Sequence, residues 1–117
     1  MRAIRFETTG GPEVLAAAEV PMPVPGPGEA LVRHTAIGVN FIDTYMRSGL
    51  YPVPLPAIPG VEAAGIVEAV GEGVTHLAPG DRVVYFSQAP GAYATHRALA
   101  ASSLVPLPDA IPDELAA

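Results

Sequence analysis

Proline and glycine are concentrated in clusters along this chain, and the clusters separate short apolar segments. The sequence has 14 Pro and 12 Gly among 117 residues, well above the usual share of these two residues. The main clusters cover residues 21–28, 52–60 and 106–112. Proline removes a backbone donor and glycine costs backbone entropy, so no long helix can run through these positions. The chain is therefore restricted to short elements joined by tight turns.

The apolar segments between the clusters predict short strands. They are rich in Val, Ile and aromatic residues and are bounded by turn residues. The predicted strands cover residues 2–7, 15–19, 30–39, 63–70, 82–86, 93–99 and 104–107. Turn signals at residues 71–73 and 79–81 predict a tight connection between two of them. Short strands at this spacing are typical of an all-β barrel or sandwich.

Residues 40–49 have the pattern of a helix. Asn40 suits the N-cap, Asp43 stands at the acidic position of a capping box, and Gly49 would end the helix. Asp43 and Arg47 have the spacing of a solvent-exposed i,i+4 ion pair. The predicted apolar side carries Phe41, Ile42, Tyr45 and Met46, and the predicted polar side carries Asn40, Asp43, Thr44 and Arg47.

A second helix is predicted to begin near the last residues. Pro112 suits the first helical position, and the two acids that follow it suit the first turn. A helix of five or six residues is too short to be stable without packing. We therefore expect this segment to be the start of an element that continues in a longer protein.

Composition and charge exclude several classes of protein. The length fits one domain, and a formal charge of -6 with six basic residues argues against nucleic acid as a partner. The absence of Cys excludes disulfides, thiolate zinc sites and a thiol nucleophile. No apolar stretch has the length of a membrane span or a signal core. The sequence thus predicts a cytoplasmic protein without a membrane association.

No short motif predicts a metal or a phosphate site. His34, His76 and His96 lie far apart in the sequence and form no metal-ligand pair, so we expect each to be a surface or half-buried residue. No strand is followed by a glycine-rich phosphate loop. We expect no metal site in this chain.

Several longer motifs resemble a known family. They are GGPEVL at residues 10–15, GVNFIDTYMRSGLY at 38–51, PGVEAAG at 59–65, GDRVV at 80–84 and GAYA at 91–94. In this order they resemble the zeta-crystallin-like quinone oxidoreductases of the medium-chain dehydrogenase/reductase superfamily. The resemblance extends over nearly the whole chain, so it is specific.

The resemblance implies a mainly β fold, a GroES-like, partly open β-barrel with one or two short helices. Residues 1–117 would form the substrate-side catalytic domain, and a Rossmann domain would follow. The expected cofactor is NADPH, the expected substrates are quinones or related enones, and the expected full-length protein is a homodimer. Zinc-dependent relatives carry a Cys and a His where this chain has Asn40 and Val61, which implies the zinc-free branch.

The resemblance also implies roles for individual residues. The family's NADPH contacts correspond to Asn40, Phe41, Ile42, Asp43 and Thr44. Its active-site residues correspond to Asn40, Tyr45 and Tyr51, with Tyr51 as the best candidate for a general acid. Hydride transfer needs no side-chain nucleophile, so neutral donors such as Asn and Tyr suit the chemistry.

Simpler interpretations of these residues stay open at this point. Asn40 could be only an N-cap, Tyr45 a core residue and Tyr51 an ordinary loop aromatic. For the whole chain, one alternative is a non-enzymatic GroES-like interaction module. Another is an enoyl reductase of the same superfamily.

Overall fold

The computed structural model describes residues 1–117 as a mainly β fold. Each predicted strand is present, with slightly different bounds. The strands are β1 Arg2–Arg5, β2 Ala16–Glu19, β3 Glu29–Ile37, β4 Glu62–Val70, β5 Arg82–Phe86, β6 His96–Ala100 and β7 Val105–Pro106, and the helices are α1 Phe41–Ser48 and α2 Asp113–Ala116. Two single turns of 3-10 helix, at Pro12–Val14 and Ala101–Ser103, were not predicted.

The strands form two antiparallel sheets that do not close into a barrel. The larger sheet has the order β6-β3-β4-β5-β7, and the smaller one consists of β1 and β2. Two isolated bridges, Ala3 to Ala94 and Phe6 to Ala57, tie the segment around β1 to the rest of the molecule. The result confirms the prediction of a mainly β, partly open fold.

The core lies on one face of the larger sheet. Small and branched side chains dominate it, as a closely packed sheet surface requires. Its members are Ala30, Val32, Ala63, Val67, Leu77, Val83, Tyr85, Ala92, Leu99, Ala101 and Leu104. The connection between β4 and β5 contributes Leu77, and Gly73 and Gly80 turn the chain there with φ of 83° and 97°. This is the tight connection that the turn signals predict.

Helix α2 begins one residue later than predicted. Pro112 is its N-cap and has extended backbone angles, so it does not occupy the first helical position. Arg82 of β5 holds this segment, since its Nη2 donates to the Ile111 carbonyl at 2.7 Å and to Asp113 Oδ1 at 2.6 Å. The Arg82 guanidinium lowers the pKa of Asp113. Neither α1 nor α2 has the length and apolar character of a membrane-crossing helix.

Candidate active site

Helix α1 begins and ends where the sequence predicts. Asn40 is the N-cap, with extended backbone angles, and Gly49 ends the helix with φ of 88°. The Asp43 carboxylate reaches back to the start of the helix, where Oδ2 accepts the Asn40 backbone N–H at 3.0 Å. This is the acidic half of the predicted capping box.

The two sides of α1 differ from the prediction most clearly at two positions. Asp43, expected on the solvent side, is only 5% exposed, whereas Phe41, expected on the apolar side, is 81% exposed. The predicted ion pair between Asp43 and Arg47 is wrong, because Arg47 Nε donates to the Gly10 carbonyl at 3.1 Å. Asp43 can be buried because two donors, the Asn40 N–H and the Tyr93 hydroxyl, satisfy one of its oxygens.

The side chains of Tyr45 and Tyr51 pack against each other beside α1. Their ring centroids are 5.4 Å apart in an edge-to-face arrangement, which is a favoured geometry for aromatic pairs. The Tyr51 backbone N–H also donates to the Tyr45 carbonyl at 3.1 Å. Tyr45 is 38% exposed and Tyr51 is 48% exposed, so neither ring is a core residue. Ile42 and Thr44 are half-buried, and the Thr44 hydroxyl donates to the Phe41 carbonyl at 2.6 Å.

Two residues without a predicted role, Glu62 and Tyr93, contact the start of α1. Asn40 Nδ2 donates to Glu62 Oε1 at 2.9 Å, and the Tyr93 hydroxyl donates to Asp43 Oδ2 at 2.7 Å. Burial and this hydrogen bond to the Asp43 carboxylate raise the pKa of Tyr93. Both residues lie inside the family-like motifs, which was the one sequence signal that pointed to them.

A cavity of about 270 Å³ opens beside the N-terminal half of α1. Its walls combine apolar residues with hydrogen-bonding groups, as small-molecule sites commonly do. They are formed by Leu15, Val39, Asn40, Asp43, Thr44, Arg47, Pro59 and Tyr93. A larger cavity of about 460 Å³ lies between β1, β2 and β3. The smaller one is the better candidate because it contains Asn40, Asp43 and Thr44.

None of the three histidines lines the cavity beside α1. His34 is half-buried in β3, where Nδ1 donates to the Ala94 carbonyl at 2.7 Å and Nε2 accepts the Tyr85 hydroxyl at 2.9 Å. Burial lowers the pKa of His34, in keeping with a neutral ring. No three His, Asp or Glu side chains come together in a metal-binding arrangement.

Comparison with known proteins defines the family. Residues 26–109 match the family model described as alcohol dehydrogenase GroES-like domain. Quinone oxidoreductase 1 of Escherichia coli is 53% identical over 115 residues, which cover 97% of this chain. A 2-haloacrylate reductase from a Burkholderia species is 45% identical over 104 residues, which cover 85% of this chain and 31% of that protein. The crystal structure of E. coli quinone oxidoreductase complexed with NADPH superimposes with a TM-score of 0.96 at 51% identity, covering 99% of this chain and 36% of that one.

The chain belongs to the alcohol dehydrogenase GroES-like domain family. Within the medium-chain dehydrogenase/reductase superfamily, the resemblance to quinone oxidoreductases is confirmed by these matches. The chain spans 35% of the length of the E. coli relative.

Proposed function

We propose that this chain is the substrate-side domain of an NADPH-dependent reductase of quinones or related α,β-unsaturated carbonyls, and that a Rossmann domain supplies the rest of the cofactor site. The observation that carries the proposal is the set of neutral hydrogen-bonding side chains along α1. Asn40 begins the helix, and the Tyr45 and Tyr51 rings form a half-exposed pair near its end. The similarity to quinone oxidoreductases over nearly the whole chain supports the same assignment.

The residues proposed for NADPH contact are chemically suited to the nicotinamide end of that cofactor. Asn40 and Thr44 offer amide and hydroxyl groups, and Phe41 and Ile42 offer apolar surface beside them. Asp43 is buried, so its contribution is to hold Asn40. When bound, the nicotinamide supplies the hydride chemistry. No glycine-rich turn here follows a strand and precedes a helix, so the phosphates are assigned to the Rossmann domain.

Tyr51 is proposed to donate a proton or a hydrogen bond to the oxygen of the acceptor. Its ring is half-exposed and is held edge to face by Tyr45, and Pro52 restricts its backbone to extended conformations. A neutral phenol at this place can stabilise the negative charge that develops on a carbonyl oxygen during reduction. Tyr45 would then act mainly by fixing the position of the Tyr51 ring.

Zinc has no part in the proposed reaction. Asn40 and Val61 stand where zinc-dependent relatives of the implied superfamily carry ligands, and the chain has no Cys. Elemental analysis of the purified protein should find no stoichiometric zinc, and a chelator should leave its melting temperature unchanged. Stoichiometric zinc, or a chelator-sensitive melting temperature, would contradict the zinc-free assignment.

The test is a direct assay of the full-length protein that carries this domain. NADPH oxidation should depend on a benzoquinone or an α,β-unsaturated ketone, and Asn40→Ala should weaken NADPH binding and turnover. Gln88→Ala is the matched control, because it removes an amide from an exposed position outside the site. The 117-residue chain alone should bind NADPH more weakly than about micromolar in calorimetry, since the phosphate-binding turn is missing. Absence of NADPH oxidation with every acceptor would refute the proposal.

Specific observations bear on two alternatives to the proposed function. Val39 and Phe41 are 79% and 81% exposed, and exposed apolar residues of this kind also suit a non-enzymatic interaction module. The similarity to a 2-haloacrylate reductase is compatible with an enone as acceptor, and the higher identity to quinone oxidoreductases is compatible with a quinone. Relative kcat/KM values would decide between them. Homodimerisation and a cytoplasmic location stay predictions from the resemblance and the composition, to be checked by sedimentation and by microscopy.

A further inference from the structure

Three motifs that are far apart in the sequence meet at the start of α1. The first contains Asn40, the second contains Gly60 and Glu62, and the third contains Tyr93. Glu62 reaches the Asn40 amide, and Tyr93 reaches the Asp43 carboxylate that accepts the Asn40 N–H. Asn40 is therefore held from two sides by residues that are not its neighbours in the chain.

The contact between Glu62 and Asn40 depends on a glycine. A Cβ at Gly38 would lie 2.5 Å from Glu62 Cγ and 2.7 Å from Glu62 Cδ, so only glycine leaves space for this carboxylate. The carboxylate accepts from Asn40 Nδ2 at 2.9 Å. A hydrogen bond with one charged partner is stronger than one between neutral groups. The pair thus fixes which way the Asn40 amide is turned.

The second contact reaches Asn40 through Asp43. Asp43 Oδ2 accepts both the Asn40 N–H and the Tyr93 hydroxyl, whereas Asp43 Oδ1 is buried without a hydrogen-bond partner. The Tyr93 ring packs against Gly60, where a Cβ would lie 2.8 Å from Cε1 of the ring. A buried carboxylate with one unsatisfied oxygen is unfavourable for stability. If Asp43 had only a structural role, an apolar side chain in its place would stabilise the fold better. Buried, incompletely satisfied charged groups are concentrated at functional sites.

We infer that Glu62 and Tyr93 are positioning residues for Asn40, with Glu62 acting on its amide and Tyr93 acting through Asp43. The inference rests on the proposed function, because that function gives Asn40 a ligand, NADPH, toward which its amide must be oriented. Neither residue touches the reacting atoms in this view. Each acts by holding Asn40 in one orientation before the ligand arrives.

The activity test compares matched variants of the full-length protein. Tyr93→Phe and Glu62→Gln should each lower kcat/KM by about tenfold, since misplacement on the order of 1 Å can cost about a hundredfold in rate. Tyr85→Phe removes a different phenol, the one that donates to His34, and Glu68→Gln changes another carboxylate of β4. Both controls should stay within about twofold of the wild type.

A double-mutant cycle separates positioning from general loss of structure. In an Asn40→Ala background, Tyr93→Phe and Glu62→Gln should cause little further loss of kcat/KM, because their effect passes through Asn40. A merely structural role predicts that the losses multiply. Multiplying losses, or variants as active as the wild type, would overturn the inference.

A measurement without cofactor keeps the inference distinct from the proposed function. In 1H–15N spectra of the NADPH-free protein, Tyr93→Phe should shift the backbone amide signal of Asn40, and Glu62→Gln should shift its side-chain NH2 signals. Tyr85→Phe should move neither. Unchanged Asn40 signals would refute the positioning itself. Shifted signals in a protein that oxidises no NADPH would instead refute the proposed function and leave the contacts intact.

Discussion

Gly60 is the position at which the fold and the candidate site depend most directly on the absence of a Cβ atom. Its φ is 96°, and a Cβ there would lie 2.8 Å from Tyr93 Cε1 and 2.9 Å from Ala92 Cβ. The backbone cannot move away easily, because the Gly60 carbonyl accepts the N–H groups of Gly91 and Ala92 at 3.0 and 3.1 Å. Gly60→Ala should therefore be strongly destabilising.

The expected cost has two parts that a control can separate. A positive φ costs a residue with a Cβ about 1–2 kcal/mol, and overpacking a closely packed site costs about 1–3 kcal/mol more. Gly80 has φ of 97°, but a Cβ added there would meet no other atom within 4 Å, so Gly80→Ala carries the first cost alone. We expect about 2–5 kcal/mol for Gly60→Ala and about 1–2 kcal/mol for Gly80→Ala.

Equilibrium unfolding in urea measures both variants. The midpoints should fall while the m-values stay constant, since m reports the surface exposed on unfolding. The difference between the two variants is the free energy of crowding against Tyr93 and Ala92. Equal costs, to within about 0.5 kcal/mol, would show that the Tyr93 ring moves aside freely and would refute the tight packing described above.

Three further predictions concern other parts of the molecule. Tyr51→Phe should lower turnover more than NADPH binding, because proton transfer by a positioned group contributes about a hundredfold or more, and unchanged rates on both a quinone and an enone would leave the ring a packing role only. Burial lowers the pKa of His34 below its usual 6.5, so the unfolded chain binds the proton more readily and stability should decrease as the pH falls below that value. His34→Gln should flatten this dependence in urea midpoints measured against pH, and an unchanged slope would contradict it. Arg82→Ala should accelerate amide hydrogen exchange severalfold in the α2 segment, because it removes the hydrogen bond to Asp113. Equal protection in the variant and the wild type would show that Arg82 does not stabilise this segment.

The strands and the ends of α1 could be predicted because their determinants are local. Short apolar runs bounded by Pro and Gly define the strands, and Asn40, Asp43 and Gly49 define the helix within ten consecutive positions. The 3-10 turn at Pro12–Val14 was missed because three residues carry no periodic pattern. The sequence predicted Pro112 at the first helical position, whereas the structure has it at the N-cap. Helix boundaries differ by a residue in this way because proline fits both positions.

The family motifs predicted which segments form the candidate site, but not how they contact one another. Asn40 and Glu62 are 22 residues apart, and Asp43 and Tyr93 are 50 residues apart. Contacts at such separations depend on the order of strands in the sheet, which local patterns do not contain. Glu62 and Tyr93 could therefore be recognised as candidate site residues only after β4 and the segment before β6 had been brought beside α1.

The two clearest departures from the predicted sides of α1 lie close to Asn40. The amphipathic pattern places apolar side chains inside and charged ones outside, yet Phe41 is exposed and Asp43 is buried. Burying Asp43 is tolerable only because the Asn40 N–H and the Tyr93 hydroxyl compensate one of its oxygens. Exposing Phe41 leaves apolar surface beside Asn40, where the proposed nicotinamide contact requires it. Local rules that fail together at nearby positions are typical of binding sites, and this is the physical argument for the proposed ligand contact at the start of α1.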